Sequence, residues 1–389
     1  MGDWPIAELG GLTPLQVAKT PAMDALATQG RVGLVSTTPE GFSPGSDVTN
    51  MGILGYNPVL YYTGRSPIEA ASMGITLLDH QLTFRCNFIT EKEGIMDSFT
   101  ADHVTTEEAS RLIQSIHLLD SRDFVNLFLG VGYRHVGVAS DLYADFSCPP
   151  PHDILGKRLS DYYPNEPLYQ PLLDWIESVK ALLAHHTVNQ ERIQAGKKPA
   201  NAIWLWGQGK MPVLPSFKDQ TGLTGGVVTA VDLIKGLGKL AGLEVPTVEG
   251  ATGFVDTNYQ GKWQAAVNLL NQHDFVFVHV EAPDEAGHMG DWDLKIRAIE
   301  DFDRYIVQAA LDYLKLHPQT RIWVLPDHFT PCERRTHSLD LVPYVMAGAG
   351  VVPDTATHYT EAAVKQLAAP YEGAVYQLAS DFLTSRCMP

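Results

Sequence analysis

Short apolar runs alternate with amphipathic segments near the start of the chain and again over its second half. Residues 32–36, 275–280 and 322–325 are mainly apolar runs of strand length. The segment after Asp291 instead has the apolar spacing of a core-facing helix, at Ile299, Phe302, Ile306, Ala309 and Tyr313. Apolar strands alternating with amphipathic helices are typical of an α/β fold. We therefore predict a core with a mostly parallel sheet flanked by helices.

The middle of the chain has a different pattern. Residues 83–88 and 135–140 are strand-like, and a long helical stretch covers 168–194. From Asn201 onward the alternation of short apolar runs and amphipathic segments returns. We therefore predict that an inserted α+β cap domain, 76–198, interrupts a core built from 1–75 and 199–389.

Composition and charge restrict the class of partner. The chain has 389 residues, with 28 Lys and Arg against 45 Asp and Glu, which gives a net charge of −17. This excess of acid argues against nucleic acid or an anionic membrane as the partner, and no apolar run approaches the roughly 20 residues of a membrane span. The N-terminus lacks the basic and apolar regions of a signal peptide. No CxxC spacing occurs among the cysteines, which are Cys86, Cys148, Cys332 and Cys387. We expect a cytoplasmic protein that acts on a small molecule.

Two of the predicted strands run directly into clusters of Asp and His. Asp284 and His288, four residues apart, follow the strand at 275–280, and the strand at 322–325 leads into Asp327 and His328, with His337 nine residues further on. Ligands in α/β sheets gather at the carboxyl ends of strands. Each segment alone could be a solvated loop with a capping Asp. Together they indicate a cation, because burying so many ionisable groups at one sheet edge would otherwise be costly. Oxygen and nitrogen donors without a thiolate suit Mn, Mg or Zn.

Ser46 is the candidate nucleophile. It ends the Pro-, Gly- and Ser-rich loop 39–46 and begins a predicted helix, where free backbone N–H groups favour an anion. A serine hydroxyl is a poor nucleophile unless something lowers its pKa, which metal coordination does. Taken alone, Ser46 or Asp47 could equally be an ordinary helix cap.

Several longer runs in the chain resemble those of one protein family. The runs are PGSDVTNMGILGYNP, YYTGRSPIEA, FRCNF, PPPHDILGK, FVHVEAPDEAGHMGD, KIRAIEDFD and PDHFTPCERRTH. They resemble the archaeal-type cofactor-independent phosphoglycerate mutases of the alkaline phosphatase superfamily, and the likeness covers nearly the whole chain. The resemblance implies an alkaline-phosphatase-like core with an inserted cap, and interconversion of 3-phosphoglycerate and 2-phosphoglycerate without 2,3-bisphosphoglycerate.

The resemblance also implies a role for each matching position. One divalent metal ion would be bound by Asp284, His288 and His337, and a second by Asp327, His328 and the hydroxyl of Ser46. Ser46 would accept the phosphoryl group. The substrate would be bound by cap residues, with a lysine of the core as a further candidate: Arg85, Arg134, His152, Asp153 and Lys210. Guanidinium groups match both a carboxylate and a phosphate, although each arginine could instead be structural. A cap that excludes water would separate a mutase from a phosphatase.

The chain departs from the family at its first residues. Family members begin with a strand and Asp-Gly-Met-Gly-Asp, whose first Asp is a ligand of the second metal. This chain opens on Met1-Gly2-Asp3, the last three residues of that motif. We expect coding sequence upstream of Met1, and weak binding of the second metal by a protein made from Met1.

Three alternatives to a mutase are a homoserine kinase-like enzyme, a phosphatase, and a metal-poor inactive homologue. A kinase is less favoured because neither a Walker A loop nor a kinase glycine-rich loop is visible.

Overall fold

The computed structural model describes residues 1–119 and 124–384. Its strands, in chain order, are β1 Gly30–Val35, β2 Gln81–Lys92, β3 Ile95–Ser98, β4 Val125–Val131, β5 Arg134–Ser140, β6 Ala202–Gly209, β7 Gly225–Val228, β8 Phe275–Val278, β9 Arg321–Val324 and β10 Val342–Gly348. The strands predicted from the short apolar runs correspond to β1, β2, β5, β8 and β9.

In the described part of the chain the α-helices outnumber the strands. In chain order they are α1 Pro14–Val17, α2 Pro21–Gln29, α3 Ser46–Ile53, α4 Pro58–Tyr61, α5 Arg65–Ser72, α6 Thr106–Ile116, α7 Gln170–Ala184, α8 Thr187–Gln194, α9 Phe217–Thr221, α10 Asp232–Leu240, α11 Tyr259–Leu270, α12 Ala282–Met289, α13 Trp292–Phe302, α14 Gln308–Leu316, α15 Glu361–Leu367 and α16 Val375–Thr384. The helical stretch predicted over 168–194 is therefore two helices, α7 and α8.

The chain forms two compact units, and the first consists of Met1–Tyr62 and Val213–Pro389. One of its sheets has the order β1-β10-β9, with both pairs antiparallel. A hydrophobic core joins this sheet to its helices and includes Leu26 of α2, Val345 of β10 and Leu311 of α14. The predicted helix after Asp291 is α13, and the Asp291 side chain accepts the N–H of Leu294 as its cap. A π-helical segment, Asp303–Val307, joins α13 to α14.

The second unit, Thr63–Pro212, is wider than the predicted cap of 76–198 at both ends. Its sheet has the order β3-β2-β5-β4, and β6 pairs with β2 as well. Helix α5 packs against β2 and β6. The predicted boundaries left both flanks outside because the second was placed where the alternation of apolar runs and amphipathic segments resumes, at Asn201. The packing partners of α5 and β6 nevertheless lie within this unit. β6 was predicted to belong to the core, and that prediction was wrong.

The α/β class is confirmed, but the prediction of a mostly parallel sheet was wrong. Antiparallel pairing joins the strands of the β1-β10-β9 sheet and of the second unit, and β7 with β8 is the parallel ladder among the described residues. An apolar run predicts a strand that packs into the interior, and such a strand occurs in sheets of either polarity. The direction of the neighbouring strand is a long-range property that the run does not encode.

Within the part of the chain that the structure describes, no helix combines the length and apolar character needed to cross a bilayer. Cys86, Cys148 and Cys332 are buried free thiols. Burial raises the pKa of Cys86 well above its ordinary value. Cys387 lies outside the described residues.

Candidate active site

Four chain segments of the first unit bring the predicted site residues together. Gly45 caps α3, so Ser46 is the first residue of that helix and is buried. Asp284 and His288 lie in the first and last turns of α12, which begins four residues after β8 ends. Asp327 and His328 follow β9, and a bridge between Phe329 and Ser338 brings the chain back so that His337 reaches the same place.

Asp284, His288 and His337 form a compact donor set. Their ligand atoms all lie within 4.8 Å of one another. His288 Nε2 is 3.2 Å from Asp284 Oδ2, and His337 Nε2 is 3.7 Å from Asp284 Oδ1. The two imidazole Nε2 atoms are 3.0 Å apart. One carboxylate and two imidazoles at such distances are a donor set for a divalent transition metal.

The hydrogen-bond partners of the two Nδ1 atoms indicate whether His288 and His337 are arranged to bind a metal. His288 Nδ1 lies 3.0 Å from the carbonyl oxygen of Arg335, and His337 Nδ1 lies 3.1 Å from that of Pro44. A carbonyl oxygen only accepts, so each Nδ1 carries a proton and donates it. When His288 gives up its Nε2 proton, as binding of a cation requires, both Nε2 atoms present lone pairs to the same small space. A histidine that binds a metal through one ring nitrogen usually donates from the other nitrogen to a carbonyl or carboxylate oxygen, which fixes the orientation of the ring. The donor set therefore fits a cation.

Ser46, Asp327 and His328 form the neighbouring set. Ser46 Oγ lies 3.1 Å from His328 Nε2, which is 3.3 Å from Asp327 Oδ2. His328 is 2% exposed, and its ring centroid is 3.8 Å from that of His337, so the two sets adjoin. The donors of this set also fit a divalent cation, with the serine hydroxyl as one ligand.

Charge coupling governs the pKa values of the first set. The hydrogen bond to Asp284 is the largest cause that raises the pKa of His288 to about 9. Burial works to raise the pKa of Asp284, but the hydrogen bond from His288 and the charges of His328, His288 and His337 outweigh it, so this pKa lies well below its ordinary value. Burial, followed by the charge of His328, lowers the pKa of His337. Asp284 is therefore ionised at neutral pH and stabilises a cation beside it.

Two supporting residues were not predicted from the sequence. Asn50, one turn after Ser46 on α3, donates from Nδ2 to Asp327 Oδ2 at 2.9 Å and to the Ser46 carbonyl oxygen at 2.9 Å. Thr330 Oγ1 donates to Asp284 Oδ1 and lies 3.3 Å from His328 Nδ1. Since its proton goes to Asp284, Thr330 accepts from His328, which leaves the His328 Nε2 lone pair facing Ser46. The i,i+4 spacing of Ser46 and Asn50 was the sequence signal for the first of these residues.

A buried ion pair between Lys295 and Asp3 contacts the backbone of Thr330. Lys295, which is fully buried on α13, donates from Nζ to Asp3 Oδ2 at 2.7 Å, to the Thr330 carbonyl oxygen at 2.9 Å and to the Gly2 carbonyl oxygen at 3.0 Å. Asp3 also accepts the N–H of Cys332. The lysine thus satisfies a buried carboxylate and holds the segment that carries Thr330.

Replacing Lys295 with Met is expected to destabilise the protein by about 3 kcal/mol, because it leaves the Asp3 carboxylate buried without its cation. The measurement is the urea midpoint of unfolding. The matched control is Lys315→Met, which breaks an exposed pair with Asp312 and should change stability by less than about 0.5 kcal/mol. Equal midpoints for the two variants would contradict the structural role of Lys295.

The predicted substrate-binding residues lie in the second unit. Arg85, on β2, is 8% exposed; its Nε lies 3.0 Å from Glu69 Oε2, and its Cζ lies 4.1 Å from the centroid of the Trp206 ring. Arg134, at the start of β5, is exposed and pairs in register with Asn87 of β2. The two arginines therefore come from adjacent strands of one sheet.

His152, Asp153 and Lys210 are more exposed. His152 Nε2 lies 3.6 Å from Asp153 Oδ1, with the side chains 56% and 61% exposed, and the His152 ring centroid is 6.2 Å from that of Trp206. Lys210 Nζ lies 2.8 Å from Asp141 Oδ2. Lys210 belongs to the second unit, so its predicted origin in the core was wrong.

Comparisons with known proteins agree along most of the chain. A family model described as 2,3-bisphosphoglycerate-independent phosphoglycerate mutase matches residues 27–189. A protein of that name from Methanothrix thermoacetophila is 49% identical over 93% of this chain and 92% of its own length. A solved structure from Pyrococcus horikoshii covers 100% of this chain and 96% of its own with 31% identity and a TM-score of 0.83. A cofactor-independent phosphoglycerate mutase from Thermoplasma acidophilum covers 98% of this chain and 96% of its own, with 29% identity and a TM-score of 0.66.

These matches define an α/β enzyme of the isomerase class that acts on a small phosphorylated substrate. The chain belongs to the 2,3-bisphosphoglycerate-independent phosphoglycerate mutase family. The resemblance inferred from the sequence motifs is therefore confirmed.

Proposed function

We propose that this member of the family interconverts 3-phosphoglycerate and 2-phosphoglycerate through a phosphoserine formed on Ser46. The observation that carries the proposal is the buried Ser46 hydroxyl at the start of α3, 3.1 Å from His328 Nε2 and beside two adjoining Asp/His donor sets. The first unit is then an alkaline-phosphatase-like core, and the second is its inserted cap.

In the proposed reaction, Ser46 takes the phosphoryl group from the 3-oxygen of the substrate and passes it to the 2-oxygen. Its Oγ attacks the substrate phosphorus, the bond from phosphorus to the 3-oxygen of the substrate breaks, and the serine proton is released while the departing oxygen gains one. The 2-hydroxyl of the bound glycerate then attacks the phosphoserine and loses its proton, the bond from phosphorus to Ser46 Oγ breaks, and the serine oxygen regains a proton. The free N–H groups at the start of α3 favour the charge on the phosphoryl oxygens in both steps. No other phosphate donor is needed, in agreement with relatives named as independent of 2,3-bisphosphoglycerate.

Two divalent cations, Mn, Mg or Zn, would be held by the two donor sets of the first unit. Asp284, His288 and His337 would hold one cation, and Asp327, His328 and Ser46 the other. Such cations supply Lewis-acid stabilisation of the phosphoryl oxygens and lower the pKa of a bound hydroxyl. The contribution of Asn50 is to orient Asp327, and that of Thr330 is to orient Asp284 and His328.

Arg85 and Arg134 are proposed to bind anionic groups of the substrate, with His152, Asp153 and Lys210 as further polar contacts. The guanidinium of Arg85 is already oriented by Glu69 and Trp206, which lowers the entropic cost of binding. Retaining the glycerate between the two steps is what distinguishes a mutase from a phosphatase, because water competes for the phosphoserine during that interval.

The proposed function is tested by incubating the purified protein with 3-phosphoglycerate and Mn²⁺, and following 2-phosphoglycerate and inorganic phosphate by phosphorus NMR. We expect 2-phosphoglycerate as the main product, and loss of activity in a chelator with recovery on adding Mn²⁺. Phosphate as the sole product would identify a phosphatase instead, and no product from a metal-loaded chain would contradict the proposal.

Replacing Arg85 with Met, and separately Arg134 with Met, is expected to raise KM and the ratio of phosphate to 2-phosphoglycerate. Both effects follow from weaker retention of the anionic intermediate. The matched control is Arg111→Met in the same unit, which breaks an exposed pair with Glu191 and should leave both quantities unchanged. Product ratios and KM values that match the control in both variants would remove these two arginines from the site.

A further inference from the structure

Helix α5 carries two charged residues, Arg65 and Glu69, that were not among the site residues predicted from the sequence. They lie in the run YYTGRSPIEA, one helical turn apart. Glu69 contacts two arginines at once, since its Oε1 is 3.1 Å from Arg65 Nε and its Oε2 is 3.0 Å from Arg85 Nε. One carboxylate therefore engages the Nε positions of two guanidinium groups that would otherwise repel each other.

The other constraints on Arg85 come from its own sheet. Trp206 of β6 pairs in register with Arg85 of β2, and its ring stacks beneath the guanidinium at 4.1 Å. Trp206 is itself held, because its Nε1 donates to Asn87 Oδ1 at 3.1 Å and Asn87 is buried. The Arg85 side chain is thus held at Nε by Glu69 and on one face by the indole, a cation–π contact.

The two terminal nitrogens of Arg85 remain available for a ligand. Among the described residues, the structure gives Nη1 and Nη2 no hydrogen-bond partner, although the residue is only 8% exposed. Burial lowers the pKa of Arg85, the charge of Glu69 opposes that effect, and the charges of Arg65 and Arg134 add to it. Two guanidinium groups, those of Arg65 and Arg85, therefore share the one carboxylate of Glu69, which leaves a local positive excess in a chain of net charge −17.

We propose that Glu69 is a positioning residue that holds Arg85 so that its two terminal nitrogens bind the carboxylate of the phosphoglycerate. This inference rests on the proposed function. The phosphoryl group reacts at Ser46, whereas the carboxylate takes part in no bond change and needs a separate anchor. A planar guanidinium fork matches a planar carboxylate in a bidentate pair, and the fork is pre-oriented here before the substrate arrives.

The test compares two ligands and two glutamate variants in a chain that also carries Ser46→Ala, so that nothing turns over. The ligands are 3-phosphoglycerate and glycerol 3-phosphate, which lacks the carboxylate, and binding is measured by calorimetry in Mn²⁺. The variants are Glu69→Gln and, as the matched control, Glu108→Gln, which weakens the buried contact of Glu108 with Arg192 in the same unit. Glutamine still fits the helix cap that Glu108 provides for α6.

We expect Glu69→Gln to weaken 3-phosphoglycerate binding about tenfold, the scale of a charge-assisted contact, and to change glycerol 3-phosphate binding less than about twofold. In the chain with Ser46 intact, the same change should raise KM with little effect on kcat, as loss of uniform binding does. Glu108→Gln should change neither affinity. Thermal midpoints of both variants establish that they are folded.

Four results would overturn the inference. Equal weakening for both ligands would mean that Glu69 supports binding of the phosphoryl group, and no change for either would remove it from the site. Tighter binding of both would mean that Glu69 acts only through its negative charge. If the chain with both glutamates intact binds neither ligand, the proposed function itself fails and the inference fails with it.

Discussion

Replacing Ser46 with alanine is expected to lower mutase turnover by roughly 10⁴-fold or more, because the proposed phosphoserine cannot form without the hydroxyl. The fold should survive, since Gly45 and not the Ser46 side chain occupies the cap position of α3. The change removes the contact of Ser46 Oγ with His328 Nε2 and little else. The measurement is the rate of 2-phosphoglycerate formation at saturating 3-phosphoglycerate and Mn²⁺.

The matched control for this variant is Ser216→Ala. Ser216 caps α9 in the same unit by accepting the N–H of Asp219, so its loss should cost about 1 kcal/mol of stability and leave turnover unchanged. The two variants therefore separate a structural effect from a chemical one. Turnover of Ser46→Ala within tenfold of the unchanged chain would contradict the role of Ser46.

Replacing Asp284 with Asn is expected to remove one tightly bound divalent cation and to lower activity by roughly 10³-fold or more. Asp284 is the carboxylate of its donor set, and its ionised form balances the charge of a cation beside His288 and His337. Asparagine keeps the shape but supplies no charge. Elemental analysis after dialysis, and calorimetric titration with Mn²⁺, measure the loss directly.

Asp312→Asn is the matched control, because Asp312 is an exposed residue of α14 that pairs with Lys315. It should bind as many ions as the unchanged chain. Thermal unfolding gives a second measure of the loss. Adding Mn²⁺ should raise the thermal midpoint of Asp284→Asn by less than it raises the midpoint of Asp312→Asn, because one cation site is missing. An unaltered ion content in Asp284→Asn would mean that the Asp284 set is not a metal site.

Local signals in the chain were sufficient for several elements of the fold. The apolar spacing after Asp291 predicts α13 and its continuation into α14, and the short apolar runs predict β1, β8 and β9. These elements are set by side-chain periodicity and capping, which act between residues a few positions apart. Strand polarity and the limits of the second unit were not predicted correctly, because they depend on partners far away in the sequence. β6 shows this, since its pairing with β2 could not be read from its own residues.

The donor residues were also accessible to sequence reasoning, whereas their support was not. Asp and His directly after two apolar runs indicate a cation site, because ligands gather where strands end. The role of Thr330 depends on contacts with both Asp284 and His328, and that of Lys295 on its contact with Asp3 across 292 residues. Contacts of this kind leave no local pattern.

By itself, the sequence determined the α/β class, the family, the helix that starts at Ser46 and the order of the Asp and His donors along the chain. The tertiary structure alone decided which donors meet, since Ser46 and His328 are separated by 282 residues and lie 3.1 Å apart. It also decided that Arg85 is held between Glu69 and Trp206, and these three residues come from three different elements of the second unit, β2, α5 and β6. The physical reason is the range of the forces involved. Backbone hydrogen bonds and side-chain periodicity act between near neighbours, whereas the convergence of charged groups depends on how the whole chain buries its apolar surface.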